Sequence, residues 1–208
     1  MRLILASTSP RRREILSLLG IPFDVVAPDF DETLSSAVPL VDEVLDFAVG
    51  KAASVAKKHP GALIVGGDTM IELDGKKIGK PADAAEAKEI LRDLSGRTHV
   101  IYTSVAILEG RARPVLKRLE KIFVKMRAYS PAEIDEYLTR GESLDKAGAY
   151  SIQGQGSALI ESIEGDYLAA VGLPLMPIAR YLHSRRIDIP LDVEKLYAEK
   201  SYRNWARF

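Results

Sequence analysis

The chain's 208 residues, 47% of them apolar, suffice for one compact domain burying roughly 70% of its unfolded surface. A charged fraction of 28% argues against disorder, no apolar run reaches the ~20 residues a bilayer span needs, and only four apolar residues separate Met1-Arg2 from Ser7, too few for a signal peptide. Zero cysteines exclude a disulfide scaffold and thiolate chemistry, and 29 Lys+Arg against 29 Asp+Glu leave no global pull toward nucleic acid or an anionic membrane.

Leu3-Ile4-Leu5-Ala6 reads as a buried first strand, bounded by Ser7-Thr8-Ser9-Pro10. Ser9 and Pro10 form an N-cap and N1 pair, and Ile15, Leu16, Leu18 and Leu19 share the apolar face of the helix that Gly20 stops. Phe23 to Val26 is a second strand, followed by the acidic loop Asp29-Phe30-Asp31-Glu32. Val44, Leu45, Phe47, Ala48, Ala52 and Val55 repeat with helical period between about Val41 and Lys58. Ala62 to Val65 reads as a core strand ending in Gly66-Gly67-Asp68-Thr69, and Met70 to Leu73, Asp74-Gly75 and Lys76 to Ile78 as a hairpin.

Asp83 to Leu94 predicts an amphipathic helix closed by Ser95-Gly96. His99 to Leu108 and Val115 to Met126 predict two long strands joined by a polar turn. Ser130-Pro131-Ala132-Glu133 is a capping box that opens a helix to about Arg140. Gly141 to Gly156 is Gly-rich and irregular, Ala158 to Ile163 a strand, Glu164-Gly165 a turn, and Pro174 to His183 a last helix. Ser184 to Phe208 is basic and aromatic without a clear period. Alternating strands and helices followed by long hairpins predict an α/β domain with a mixed twisted sheet and flanking helices, and the expected setting is the cytoplasm.

Familiar motifs are missing. There is no G-x-x-x-x-G-K-[ST]. Gly154-Gln155-Gly156 lacks the third glycine of a dinucleotide fingerprint, and Gly141-Glu142-Ser143-Leu144-Asp145 lacks the last glycine of a nucleophile elbow. His59, His99 and His183 fit no metal-ligand spacing.

The candidate chemistry lies in local clusters. Arg11-Arg12-Arg13 occupies the first turn of a helix, where the dipole and free N–H groups favour anions. A bound polyanion held by those N–H groups, by Ser7 and Ser9, and by guanidinium forks resolves the conflict; a solvated basic patch is the plain alternative. Lys51, beside the helix-interior Gly50, and Lys80, between Gly79 and Pro81, offer point charges for a triphosphate or are ordinary surface lysines. Asp68, read at the carboxyl end of a core strand, either caps its own turn or binds Mg²⁺ and accepts a proton from an attacking water. Glu32 is a second carboxylate of the same kind or part of a solvated loop. Gln153 carries both donor and acceptor among small residues, a pattern able to read a base edge.

Taken in order, Leu5-Ala6-Ser7-Thr8-Ser9-Pro10-Arg11-Arg12, Gly67-Asp68-Thr69, Gly79-Lys80-Pro81, Leu94 to His99, Leu144 to Tyr150, Ile152-Gln153-Gly154 and Val171-Gly172-Leu173-Pro174 resemble the Maf family of nucleotide pyrophosphatases. The resemblance spans residues 1–183 and leaves 184–208 as a tail without an assigned role. It implies an α/β fold with two lobes around a cleft, related to inosine-triphosphate pyrophosphatases, in a cytoplasmic homodimer. It also implies hydrolysis of a nucleoside triphosphate to monophosphate and pyrophosphate with a divalent metal, Mg²⁺ or Mn²⁺, with Co²⁺ as a further candidate.

Asp68 matches the family's proton acceptor, and Ser7, Arg12, Glu32, Lys51 and Lys80 match its phosphate- and metal-handling positions, with Glu32 and Asp68 facing the metal. Arg11, Thr69 and Gln153 resemble the dTTP/UTP branch rather than the 7-methyl-GTP branch. The expected partner is a small nucleotide, with no nucleic acid and no membrane. The alternative function is a nucleotide-binding regulator of septum formation with little turnover. A nucleic-acid role for the tail is opposed by Asp188, Asp192, Glu194 and Glu199, which interrupt its basic residues.

Overall fold

The computed structural model describes residues 2–35, 37–110 and 114–208. Seven strands, β1 (Leu3–Ala6), β2 (Asp24–Val26), β3 (Leu63–Leu73), β4 (Lys76–Ile78), β5 (Thr98–Glu109), β6 (Pro114–Met126) and β7 (Ile160–Glu164), form one sheet in the order β2-β1-β3-β5-β6-β7, with β4 pairing the end of β3. The helices are α1 (Pro10–Ser17), α2 (Leu40–Ala56), α3 (Ala84–Leu94), α4 (Pro131–Leu138), α5 (Tyr167–Val171), α6 (Leu175–Ser184) and α7 (Val193–Glu199). β1 runs parallel to β2 and β3, and the other pairings are antiparallel, so the sheet is mixed as the alternation of elements predicts.

Both faces of the centre are covered, which is why Leu3 to Ala6, Ala62 to Val65 and Val105 to Leu108 read as continuous apolar runs. Leu3, Leu5, Leu63, Val65, Val105 and Ile107 point to the larger core, while Ile4, Ala6, Ile64, Ala106 and Leu108 point to α2. The local signals land where expected. Ser9 caps α1 through the Arg12 N–H, the Ser130/Glu133 capping box is complete, and Asp74 and Gly75 take the positive φ that a two-residue hairpin turn needs. The predicted turn between β5 and β6 falls largely on residues 111–113, which lie outside the described residues.

Two readings change, and one element is added. The strand expected to end at Val65 runs on through Gly66-Gly67-Asp68-Thr69 to Leu73, so Asp68 lies inside β3, opposite Ser104 of β5, and not at a strand end. α5 fills a stretch between the Glu164-Gly165 turn and Pro174 for which the sequence carries no assignment. The helix expected to be last is followed by α7, and Ile189, Val193, Leu196 and Trp205 of the tail enter the main core. No helix among the described residues is long and apolar enough to cross a membrane.

Candidate active site

β1 leaves β3 after the Ala6–Gly66 pair, and β4 joins only at Ile71. Gly67 to Met70 therefore have no strand partner on that side, and their β5 partners hold them from the other. The gap lies beyond the carboxyl end of β1, where α1 begins. Here a cleft of about 330 Å³ opens.

Strand alternation splits the site between the two faces of β3. Asp68 follows Ile64 and Gly66 onto the α2 face. A Cβ on Gly66 would stand 2.3 Å from the Ala48 carbonyl oxygen, so glycine is what lets α2 approach this closely. Ser104, next to Asp68 in register, donates to the Val44 carbonyl of α2 at 2.5 Å and pins the helix there. Further along α2, Lys51 reaches down with Nζ 2.6 Å from Asp68 Oδ1. Both side chains are buried.

Glu32 meets the same ammonium at 2.8 Å. Its loop is anchored by Phe30, which packs edge-on against Phe47 and fills the space above Gly50, where a Cβ would come within 2.1 Å of the ring. The approach that the helix-interior glycine permits is thus that of Phe30. Burial pushes the Asp68 carboxyl up from its usual range, with Lys51 and Arg12 pulling it back. A raised carboxyl is better suited to accepting a proton than an exposed one.

Thr69 turns to the opposite face, toward α1 and α5. Arg12 fans out there: Nε donates to the Gly172 carbonyl at 2.9 Å, and the two terminal nitrogens to Thr69 Oγ1 at 3.1 Å and Ser7 Oγ at 3.4 Å. Gly172 ends α5 at φ 136°, a conformation that favours glycine and aims its carbonyl at the guanidinium. Thr103 holds Thr69 from β5 at 3.2 Å. Burial draws the Arg12 guanidinium down from its usual value, and the charges of Asp68 and Glu32 oppose that. Arg12 is therefore a fixed cation with its fork already spread.

Ser7, Arg11, Arg12, Glu32, Lys51, Asp68, Thr69, Lys80 and Gln153, the nine residues singled out in the sequence, all line this one cleft. Arg13 is exposed and outside it. Lys80 stands exposed on the rim, its turn tied to the facing loop by the Gly148 N–H on the Gly79 carbonyl at 3.2 Å. Arg11 faces Asp145 at 3.7 Å.

Sequence reasoning assigned no role to Lys146 or Asp145, although the segment holding them was conspicuous. Lys146 anchors on the Glu142 carbonyl at 2.8 Å. The cleft thus gathers Arg11, Arg12, Lys51, Lys80 and Lys146 against Glu32, Asp68 and Asp145, a surplus of positive charge suited to a polyanion. Glu32 and Asp68 converge on one point, now held by the Lys51 ammonium, and both are hard oxygen donors of the kind Mg²⁺ accepts alongside phosphate oxygens. No group of three or more His, Asp or Glu side chains converges for metal binding among the described residues.

Residues 2–185 match the Maf-like protein family. A dTTP/UTP pyrophosphatase of Bacillus cereus is 40% identical over 189 residues, which cover 90% of this chain and 97% of the relative. One of Bacillus mycoides is 41% identical over 188 residues, with the same coverage. Among solved structures, a HAM1 protein from Coxiella burnetii aligns with 61% of this chain and 73% of its own at a TM-score of 0.43 and 21% identity.

Proposed function

The chain belongs to the Maf family, and from that premise we propose that it is a nucleoside triphosphate pyrophosphatase that splits dTTP and UTP into monophosphate and pyrophosphate. The observation that carries the reading is the cleft itself: a buried carboxylate with a raised pKa facing a fixed array of cations at the end of β1. Its natural work is the clearing of surplus or modified pyrimidine nucleotides. A cytoplasmic homodimer is the form the family resemblance implies.

Arg12 and Ser7 bind the triphosphate on one side of β3, Lys51 on the other, and Lys80 from the rim. An arriving phosphate takes over the donors that Arg12 now shares among Ser7, Thr69 and Gly172. Asp68 accepts the proton of the attacking water as its oxygen bonds to the α-phosphorus. The bond from that phosphorus to the bridging oxygen breaks, and pyrophosphate leaves with the electron pair. The cations are in place before the charge moves, so little reorganisation is needed.

Glu32 and Asp68, with phosphate oxygens, would hold a divalent cation, Mg²⁺ or Mn²⁺, which when bound neutralises charge on the phosphates. Arg11, Thr69 and Gln153 select the base. The test is product identity with UTP, with and without a chelator. Pyrophosphate released in equal amount to UMP, and lost on chelation, is the expected result. Orthophosphate with UDP, and no pyrophosphate, would overturn the reading.

A further inference from the structure

The tail beyond residue 185 lies outside the family match, yet it is bound to the part of the cleft that holds Gln153. Trp205 stacks on Tyr167 with ring centroids 5.3 Å apart, and the Tyr167 hydroxyl donates to the Arg203 carbonyl at 2.6 Å. Asn204 Nδ2 donates to the Gln153 carbonyl at 2.9 Å and to that of Ile152 at 3.3 Å. These contacts bring Tyr202 against the Gln153 side chain, where Nε2 donates to the phenol oxygen at 2.8 Å.

The direction of that hydrogen bond is set from behind. Burial, and behind it the nearby charge of the Glu14 carboxylate of α1, push the same hydroxyl up to about 12. Arg203 Nε stands 3.4 Å from Glu14 Oε1 and keeps the carboxylate beside the tail. A carboxylate only accepts, and a phenol has one proton to give. With that proton drawn toward the Glu14 charge, the Tyr202 oxygen is left as an acceptor, and the Gln153 amide nitrogen is the group that meets it, at 2.8 Å.

The sense of the amide matters because the pyrimidines differ by the same reversal. Uracil and thymine present a carbonyl acceptor at position 4 beside the N3–H donor; cytosine presents an amino donor beside a bare N3 acceptor. An amide held one way gives N–H to O4 and takes N3–H on its oxygen. Turned by half a rotation, it matches cytosine equally well. Resting on the pyrimidine reading above, we propose that Tyr202, backed by Glu14, is a positioning residue that fixes the Gln153 amide in the uracil- and thymine-reading sense.

Tyr202→Phe removes only the hydroxyl and keeps the ring. Steady-state kcat/KM for UTP and CTP, read by pyrophosphate release, should show the UTP-to-CTP ratio falling about tenfold, with the CTP value itself rising. Glu14→Gln should move the ratio the same way, because an uncharged amide no longer draws the phenol proton and leaves the hydroxyl free to face either sense. In a Gln153→Ala background, Tyr202→Phe should leave the ratio where it stands, since the two substitutions act through one group.

The inference is overturned if Tyr202→Phe keeps the parent ratio, if it lowers both nucleotides alike, or if its effect persists without Gln153. A parent enzyme that releases pyrophosphate from UTP no faster than from CTP overturns the pyrimidine reading and this inference together. A parent with the preference and a Tyr202→Phe variant that retains it overturn this inference alone.

Discussion

Replacing Asp68 by Asn separates what the carboxylate does in chemistry from what it does in folding. The amide keeps the shape, and its Oδ1 still accepts from Lys51, so the 2.6 Å contact survives; such bonds to a charged partner contribute about 1.5–3 kcal/mol. Lys51 also keeps Glu32 at 2.8 Å. Proton-accepting capacity and the negative charge are lost, and turnover of UTP at saturating Mg²⁺ should fall at least ~10²-fold, within the range for removing a general base. Stability should move the other way. Burial raises the Asp68 carboxyl, so the ionised form costs the folded chain stability as pH rises from the ordinary aspartate value through the raised one. Asn carries no such cost, and at pH 8 the variant should unfold at the same or a higher urea concentration than the parent, an advantage that closes below the ordinary aspartate range. Turnover within about threefold of the parent would refute the role given to Asp68, because an absent base costs far more. A variant less stable than the parent at pH 8 would refute the account of its burial.

Other expectations follow from the same geometry. Gln153→Glu should lower kcat/KM for UTP about 10- to 100-fold and narrow its lead over CTP, since a carboxylate only accepts; an unchanged ratio would place base reading elsewhere. Gly66→Ala puts a Cβ 2.3 Å from the Ala48 carbonyl, so α2 must withdraw; a loss of about 1–3 kcal/mol in urea denaturation is expected, with activity falling as Lys51 leaves Asp68, and a fully stable, active variant would contradict the close-approach argument. His99 is buried with Nε2 2.8 Å from the Tyr150 hydroxyl, and burial pushes it down to about 4. The unfolded chain takes up this proton near its ordinary value and the folded chain does not, so about 3 kcal/mol of stability should be lost as pH falls from 6.5 toward 4. His99→Gln should flatten that slope, and equal slopes in the two proteins would sink the assignment.

What could be read ahead of the structure was what is local. Ser9-Pro10 and Ser130-Pro131-Ala132-Glu133 start helices through contacts within four residues, and Asp74-Gly75 turns a hairpin by backbone preference alone. Gly66-Gly67 misled because two glycines ordinarily mark a break. Here Gly66 makes room for the α2 backbone and Gly67 lies against Arg12, reasons that exist only after folding. The same holds for the site. Asp68, Lys51 and Glu32 were each identifiable as charged residues in suggestive places, but their convergence depends on which face of β3 carries Asp68 and on how Phe30 settles over Gly50. The tail gave no clear period because its apolar helix face, Val193 and Leu196 on α7, is only two turns long, and aromatic stacking and side-chain hydrogen bonds hold the rest.

The central claim is that water attacks the α-phosphorus of a pyrimidine nucleoside triphosphate. Hydrolysis of UTP in oxygen-18 water, followed by mass analysis of both products, tests it directly. The account predicts one labelled oxygen in UMP and none in pyrophosphate. Label in pyrophosphate would place the attack on the β-phosphorus, and UDP with labelled orthophosphate would place it on the γ-phosphorus; either result would contradict the arrangement of Asp68 and the phosphate-binding cations described above.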